Sequence, residues 1–220
     1  QRRDVLQRKY EKAEQQLKMQ CGKAHKIRAA AAKVLEQRMQ KELSELNFLD
    51  VRFGIRVEEG ENPGADGWDD VEFLISTNPG EPVKPLGKIA SGGELSRVML
   101  AIKTVLADQD SIDTVIFDEI DTGISGRTAQ RVSEKLALIG RSRQVICITH
   151  LAQLAAMADS HYCIEKQAVN GETQTRIRRL SEEEVPMELA RILGGAEITD
   201  AVLDNAREMK RLAIQYKGNI

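Results

Sequence analysis

Three short stretches of this sequence carry residue types and spacings that can do chemistry together. Ser91, Gly92, Gly93 and Glu94 open an apolar-periodic segment, "IASGGELSRVMLAIKTVLA". The apolar run Thr114-Val115-Ile116-Phe117 ends in Asp118-Glu119, with Asp121 two places further on. A second apolar run, "QVICITH", ends in His150. Two carboxylates and an imidazole suit nucleotide hydrolysis. Asp118 is expected to hold Mg2+ through its water shell, because that ion takes one or two carboxylates and keeps several waters. Glu119 is expected to polarise the attacking water, and His150 to contact the γ-phosphate and sense its loss.

The paired glycines have two readings. Ser91 with Glu94 three residues on makes a capping box, and Leu95, Met99, Ile102 and Leu106 follow at helical spacing. That explains Ser91 and Glu94 but not Gly92 and Gly93, since a glycine in a helix forfeits up to about 1 kcal/mol relative to alanine. A helix N-terminus stripped of Cβ atoms offers bare amides and a positive dipole end to an anion. Plain capping and phosphate binding both stay open on these residues alone.

Placing the acids and the imidazole together needs a particular set of elements. "DTVIFDEID", "GISGRTAQRVSEKLALIG" and "RQVICITH" read as strand, helix and strand, with short apolar runs suited to burial on both faces. A β-α-β unit crosses over right-handed and makes its strands parallel, most simply as neighbours. Ligands of such sheets collect beyond the carboxyl ends of the strands, so Asp118, Glu119, Asp121 and His150 are expected to share one crevice. An acidic turn and a satisfied turn histidine are the plainer alternatives, and the ordered coincidence of the three stretches argues against them. Downstream, "SHYCIEKQ" and "TQTRIRRL" read as a hairpin around Asn170-Gly171, followed by helices near 182 to 193 and 198 to 216.

Upstream lies a different kind of chain. Leu6, Tyr10, Ala13, Leu17, Gln20, Ala24, Ile27, Ala31 and Val34 recur with the alternating spacing of a heptad seam, which then slips to Leu35, Met39, Leu43 and Leu46. This predicts one helix of about 45 residues, roughly 65 to 70 Å long, whose narrow seam needs a partner helix. Strands are expected at about 51 to 57 and 71 to 76, joined by a solvated acidic loop that lacks the spacing of a calcium loop. "STNPGEPVKPLGK" then makes an irregular connection to Ser91. The chain opens on Gln-Arg-Arg in mid-pattern, and a longer parent protein is expected.

Composition narrows the class. With 220 residues, 41% hydrophobic, 30% charged and 4% aromatic, the chain suits a helical or α/β protein. A net charge of −2 argues against a globally basic nucleic-acid binder. Arg176, Arg178 and Arg179 form a local basic patch that reads as a solvated strand edge. Cys21, Cys147 and Cys163, an odd number without CxxC spacing, suggest neither a disulfide framework nor a zinc site and fit a reducing cytosol. No apolar run approaches the length of a membrane span.

In order and wording, "SGGELSR", "VIFDEIDTGISG" and "ICITH" resemble the signature, the Walker B strand with its D-loop, and the switch-histidine loop of ATP-binding-cassette ATPases. The resemblance covers about residues 86 to 165. One departure is decisive for the subclass: no G-x-x-x-x-G-K-[ST] phosphate loop occurs in these 220 residues. A coiled coil where that loop would stand is similar to the SMC class, whose ATPase head is split between the two ends of a chain.

The resemblance implies an α/β fold, the C-terminal lobe of an ABC/SMC-type head with a parallel sheet flanked by helices, preceded by a coiled-coil helix. It divides the chain into that helix, residues 1–47, and the lobe, 48–220. It implies an ATPase with ATP and Mg2+ as cofactors, acting in recombinational repair of DNA double-strand breaks, with ATP sandwiched between two heads. Metal binding falls to Asp118 and catalysis to Glu119 and His150. Ser91, Gly92, Gly93, Glu94 and Asp121 fall on the nucleotide, the signature glycines serving the opposite head's ATP. The implied partners are the N-terminal half of the same protein, a second copy through the heads, and DNA, in a cytoplasmic, nucleoid-associated protein with no membrane contact. DNA binding follows from the resemblance and not from charge. A non-catalytic tether, or another cassette subclass such as Rad50-like or RecF-like, is the alternative.

Overall fold

The structure is a computed structural model that describes residues 2–48, 50–77, 80–89, 91–107, 111–169, 172–195 and 197–220. The chain forms two compact units, residues 1–90 and 91–220. Compactness thus divides it at 90/91, whereas sequence character divides it at 47/48.

The first unit is built on α1 (Arg2–Glu45), close to the length its heptad pattern predicts. Asn47, at φ 69°, takes the left-handed conformation that commonly stops a helix. Strands β1 (Arg52–Gly64) and β2 (Gly67–Ser76) pair antiparallel, and a short β3 (Lys84–Pro85) adds to β2 before a 3-10 turn at Leu86–Lys88. Both long strands run further than 51 to 57 and 71 to 76. The reason is contact with α1. The Ile55 amide donates to Glu36 Oε1 at 2.7 Å, and Gln40 Nε2 donates to the Val51 carbonyl. Toward the hairpin tip, His25 Nδ1 and Arg28 Nη1 each lie 2.7 Å from an oxygen of Asp69, whose side chain is fully buried. The acidic segment is therefore not a free loop. It is a β ladder fastened to a helix.

Burial on α1 sorts its two apolar sets. Leu6, Tyr10, Leu17, Ile27 and Val34, from the predicted seam, are exposed. Cys21, Ala32, Met39 and Leu43 are buried, with Leu46, Phe48, Val51, Phe53 and Ile75 completing this core. The slip in the heptad pattern after Val34 marks where apolar residues pass from one helix face to the face that meets the hairpin.

The second unit starts with α2 (Gly92–Val105), then β4 (Thr114–Phe117), α3 (Gly126–Gly140) and β5 (Gln144–Cys147). β4 and β5 are parallel neighbours in register from Thr114↔Gln144 to Phe117↔Cys147, as a β-α-β crossover requires. Their burial differs from expectation. Phe117 is buried at 3% exposure, while Ile116, Ile146 and Ile148 are 63%, 44% and 49% exposed, so one face of this pair is open among the described residues. A helix six residues long, α4 (Ala152–Met157), follows without having been predicted. β6 (Tyr162–Val169) and β7 (Glu172–Arg179) form the predicted antiparallel hairpin; its Asn170-Gly171 turn lies outside the described residues. Arg176, Arg178 and Arg179 are exposed along β7, with Arg178 paired to Glu184 at 2.7 Å, as expected of a solvated edge. Helices α5 (Val185–Gly194) and α6 (Asp200–Gly218) pack on α4 and β6 through Ala156, Cys163, Leu189, Ala190, Ala206 and Ala213. Among the described residues no helix is long and apolar enough to cross a membrane.

Candidate functional site

The parallel pair sets the rim of the site. The Ile148 amide donates to the Phe117 carbonyl at 3.0 Å, which carries the ladder one step past both strands and brings their ends level. Beyond it lies a cleft lined by Asp118, Glu119, Asp121, Thr122, Ile148, Thr149 and His150. The carboxylates and the imidazole therefore do share one crevice.

Asp118 and Glu119 are exposed at this rim. The chain turns sharply between them. Glu119 has φ 56°, a left-handed conformation that costs a non-glycine residue about 1–2 kcal/mol. Its amide donates to Asp118 Oδ1 at 2.9 Å, and its carbonyl accepts from the Thr122 amide at 3.0 Å. The strain places two consecutive carboxylates on the open side of the strand end, where a regular strand would point them to opposite faces.

Helix α2 abuts this turn. Ser91 is its N-cap and accepts from the Glu94 amide at 3.3 Å. Ser96 Oγ donates to the Asp118 carbonyl at 2.7 Å, and Arg97, 7% exposed, donates through Nη1 to the Thr122 carbonyl at 2.8 Å. Burial pushes the Arg97 guanidinium below its ordinary range while Glu94 pulls the other way. Between these bonds the backbones come close. A Cβ on Gly93 would lie 2.9 Å from Thr122 Cβ and 3.0 Å from the Glu119 carbonyl, and a Cβ on Gly92 would collide with Glu119 Oε2. Close approach by this chain's own turn thus accounts for both glycines; Gly93 is buried, and Gly92 remains exposed.

Asp121 differs from its neighbours. It is 3% exposed, and its Oδ2 accepts from Thr149 Oγ1 at 2.5 Å and from the His150 amide at 2.8 Å, with His150 Nδ1 3.0 Å away. That carboxylate oxygen is committed to the end of β5. The His150 side chain, by contrast, is 74% exposed. Cys147 lies behind the rim; burial first, then Asp121 and Asp118, push its thiol up to about 12, so it offers no thiolate at neutral pH.

Arg97 and Ser96 were not among the residues read from the sequence as functional. Spacing holds the signal for Arg97: Gly93, Arg97 and Ala101 fall at i, i+4 and i+8, so one helix face carries a cation amid small and apolar residues, all three buried. Among the described residues no group of three or more His, Cys, Asp or Glu forms a metal cage. Asp118 alone suits an ion that takes one carboxylate, waters and phosphate oxygens, which is the habit of Mg2+.

No family model matches the chain. It is 46% identical over 197 residues to DNA repair protein RecN of Halalkalibacterium halodurans, covering 88% of this chain and 35% of that protein. RecN of Bacillus subtilis is 42% identical over 214 residues, with 90% and 37% covered, and RecN of Vibrio cholerae 43% over 188, with 85% and 34% covered. Among solved structures, the Smc head domain with a coiled coil and joint from Pyrococcus yayanosii matches with a TM-score of 0.52 and 23% identity, over 74% of this chain and 29% of that one. The fold is that of an SMC head. The chain spans about a third of the length of the relatives it matches, and over that third it is similar in sequence to the RecN DNA repair proteins.

Proposed function

We propose that this segment is the C-terminal lobe of an SMC-like ATPase head acting in DNA double-strand-break repair, with the coil helix α1 attached. The observation that carries the reading is the single cleft into which β4 and β5 deliver Asp118, Glu119 and His150. RecN kinship supports the repair role, and through it DNA as a partner of the longer protein in the bacterial cytoplasm.

Bound Mg2+ and ATP would supply the scissile phosphoanhydride and the cation that offsets charge gathering on it. The residues present fit that group at its hydrolytic end. Asp118 would hold the ion through its water shell. Glu119 orients a water and accepts its proton, and the left-handed turn keeps that carboxylate at the mouth of the cleft. His150 would donate to a terminal phosphate oxygen. Ser91 and the amides of the exposed α2 N-terminus are turned to anion capture, which on the SMC pattern serves the nucleotide of an opposing head. A phosphate loop is absent from these residues, so the lobe contributes one face of a composite site. The N-terminal half of the same protein would supply the loop and the helix that lies on the α1 seam.

The test is complementation. Alone, the segment is expected to turn over ATP negligibly; joined with the rest of the protein it should hydrolyse ATP, and Glu119→Gln should lower turnover by about 10²–10⁴-fold while leaving nucleotide binding intact. An unchanged rate in Glu119→Gln removes the assignment of the base. Absence of any nucleotide dependence in the joined protein would favour a non-catalytic tether.

A further inference from the structure

Asp121 is a carboxylate in a place where carboxylates are costly. Burying an ionised carboxyl is tolerated only where donors replace its water, and among the described residues no Lys or Arg pairs with this one. Its donors come instead from the Thr149 hydroxyl at 2.5 Å and the His150 amide at 2.8 Å, both on Oδ2, and the His150 ring brings Nδ1 to 3.0 Å from the same oxygen. The ring itself is 74% exposed, so packing does little to orient it. What faces it is one buried acceptor, Asp121 Oδ2, 3.0 Å from Nδ1 at ion-pair distance.

We infer that Asp121 is the positioning residue for His150, holding the proton on Nδ1 and leaving Nε2 as the atom presented to the cleft. A bare Nδ1 lone pair facing an ionised carboxylate at 3.0 Å repels it, so the neutral ring in this geometry is the Nδ1–H tautomer. A second proton then has one place to go, Nε2, on the cleft side. An anion in the cleft is met by Nε2–H of an imidazolium whose charge is balanced from behind by Asp121. Without the carboxylate the ring rotates freely, and its neutral form reverts to a proton on Nε2 with no balancing charge. Asp121 is accordingly neither the water-activating base nor a metal ligand. The inference rests on the reading of His150 as the phosphate-contacting group, but the tautomer it specifies is measurable without nucleotide.

The experiment is 15N-edited NMR of the histidine rings in this 220-residue chain, which has three histidines, with His150 assigned by its disappearance in His150→Gln. In its neutral form, the His150 ring is expected to carry its proton on Nδ1 in the unaltered chain and on Nε2 in Asp121→Asn, while His25 and His161 keep their signals. In the protein joined to its other half, Asp121→Asn should lower ATP turnover roughly 10- to 100-fold, the scale seen when a partner that orients a functional imidazole is lost. The Asp121→Asn, His150→Gln double variant should lose little beyond His150→Gln alone. A bare Nδ1 on neutral His150 in the unaltered chain overturns the inference, whether or not Asp121→Asn folds, and so does a tautomer that Asp121→Asn leaves unchanged. A tautomer switch in a protein that never hydrolyses ATP would uphold the positioning role and defeat the ATPase reading.

Discussion

The space that a side chain on Gly92 would fill is already taken by the carboxylate of Glu119. The residue that opens α2 and the residue that ends the β4 turn are therefore fitted to each other within one chain. The neighbouring glycine is fitted instead to Thr122 Cβ and to the Glu119 and Thr122 carbonyls, none of them the end of a flexible side chain.

That difference separates two otherwise similar substitutions. Gly93→Ala drives a methyl group into main chain that Ser96 and Arg97 hold in place, and should cost about 1–3 kcal/mol. Gly92→Ala meets the free end of a flexible side chain, so stability should stay within about 0.5 kcal/mol while the Glu119 carboxylate is displaced. Thermal melts of both variants, with ATP turnover of the joined protein, check this. Equal destabilisation by the two would contradict the packing described.

Strain at Glu119 gives a second prediction. Its φ of 56° suits glycine, so Glu119→Gly should be about 1 kcal/mol more stable than Glu119→Ala, although both abolish the proposed base. Denaturant titrations of the pair measure the difference directly. Glu119→Ala matching or exceeding Glu119→Gly would mean that the turn is not left-handed in solution.

His161 links stability to pH. Burial first, then the Lys210 and Lys217 ammonium groups, lower its ring to about 4 from an ordinary 6.5, against smaller opposing effects from Ala158 and Glu188. Between those values the unfolded chain takes up a proton that the folded chain refuses. Stability is therefore fully present above pH 6.5 and declines as pH falls toward about 4. His161→Gln should flatten that decline in a series of melts; an unaltered profile would place the pH dependence elsewhere.

In the first unit, burial alone would raise the Asp69 carboxyl, but hydrogen bonds from Arg28 and His25 outweigh it and hold the group below its usual range. The folded group resists protonation, so its contribution is present above its ordinary value of 3.8 and is lost as pH falls through the lower folded value. Asp69→Asn should speed amide exchange across residues 58–70 and 22–29 and leave 91–220 unchanged. Uniform exchange in both stretches before and after the change would show that the hairpin is not fastened there.

Much of this arrangement was legible in the residues because it rests on local chemistry. The α1 periodicity, the Ser91 cap and the apolar runs ending in Asp118 and His150 each declare themselves over a few positions. What was hidden depends on contact between distant segments. In β4 and β5 nearly every position is apolar, so nothing in the spelling distinguishes Phe117, which is buried, from Ile116, which is open. Nor does an acidic triplet reveal that Asp121 turns inward to the end of β5 while Asp118 and Glu119 face out; that follows from a backbone angle at Glu119 that side-chain type opposes. The double glycine left capping and anion binding open, and neither reading names what lies against it in the fold, the chain's own turn at Glu119 and Thr122.

The hairpin on α1 has a mechanical consequence. From Cys21 onward the helix is braced by two strands, as a beam is by a flange, whereas residues 2–20 stand without such backing and an unbraced helix of that length is marginal in water. Stiffness changes abruptly where bracing begins, next to Gly22, a weak helix former. Flexure under load would concentrate at that step, making it the natural elbow of the rod.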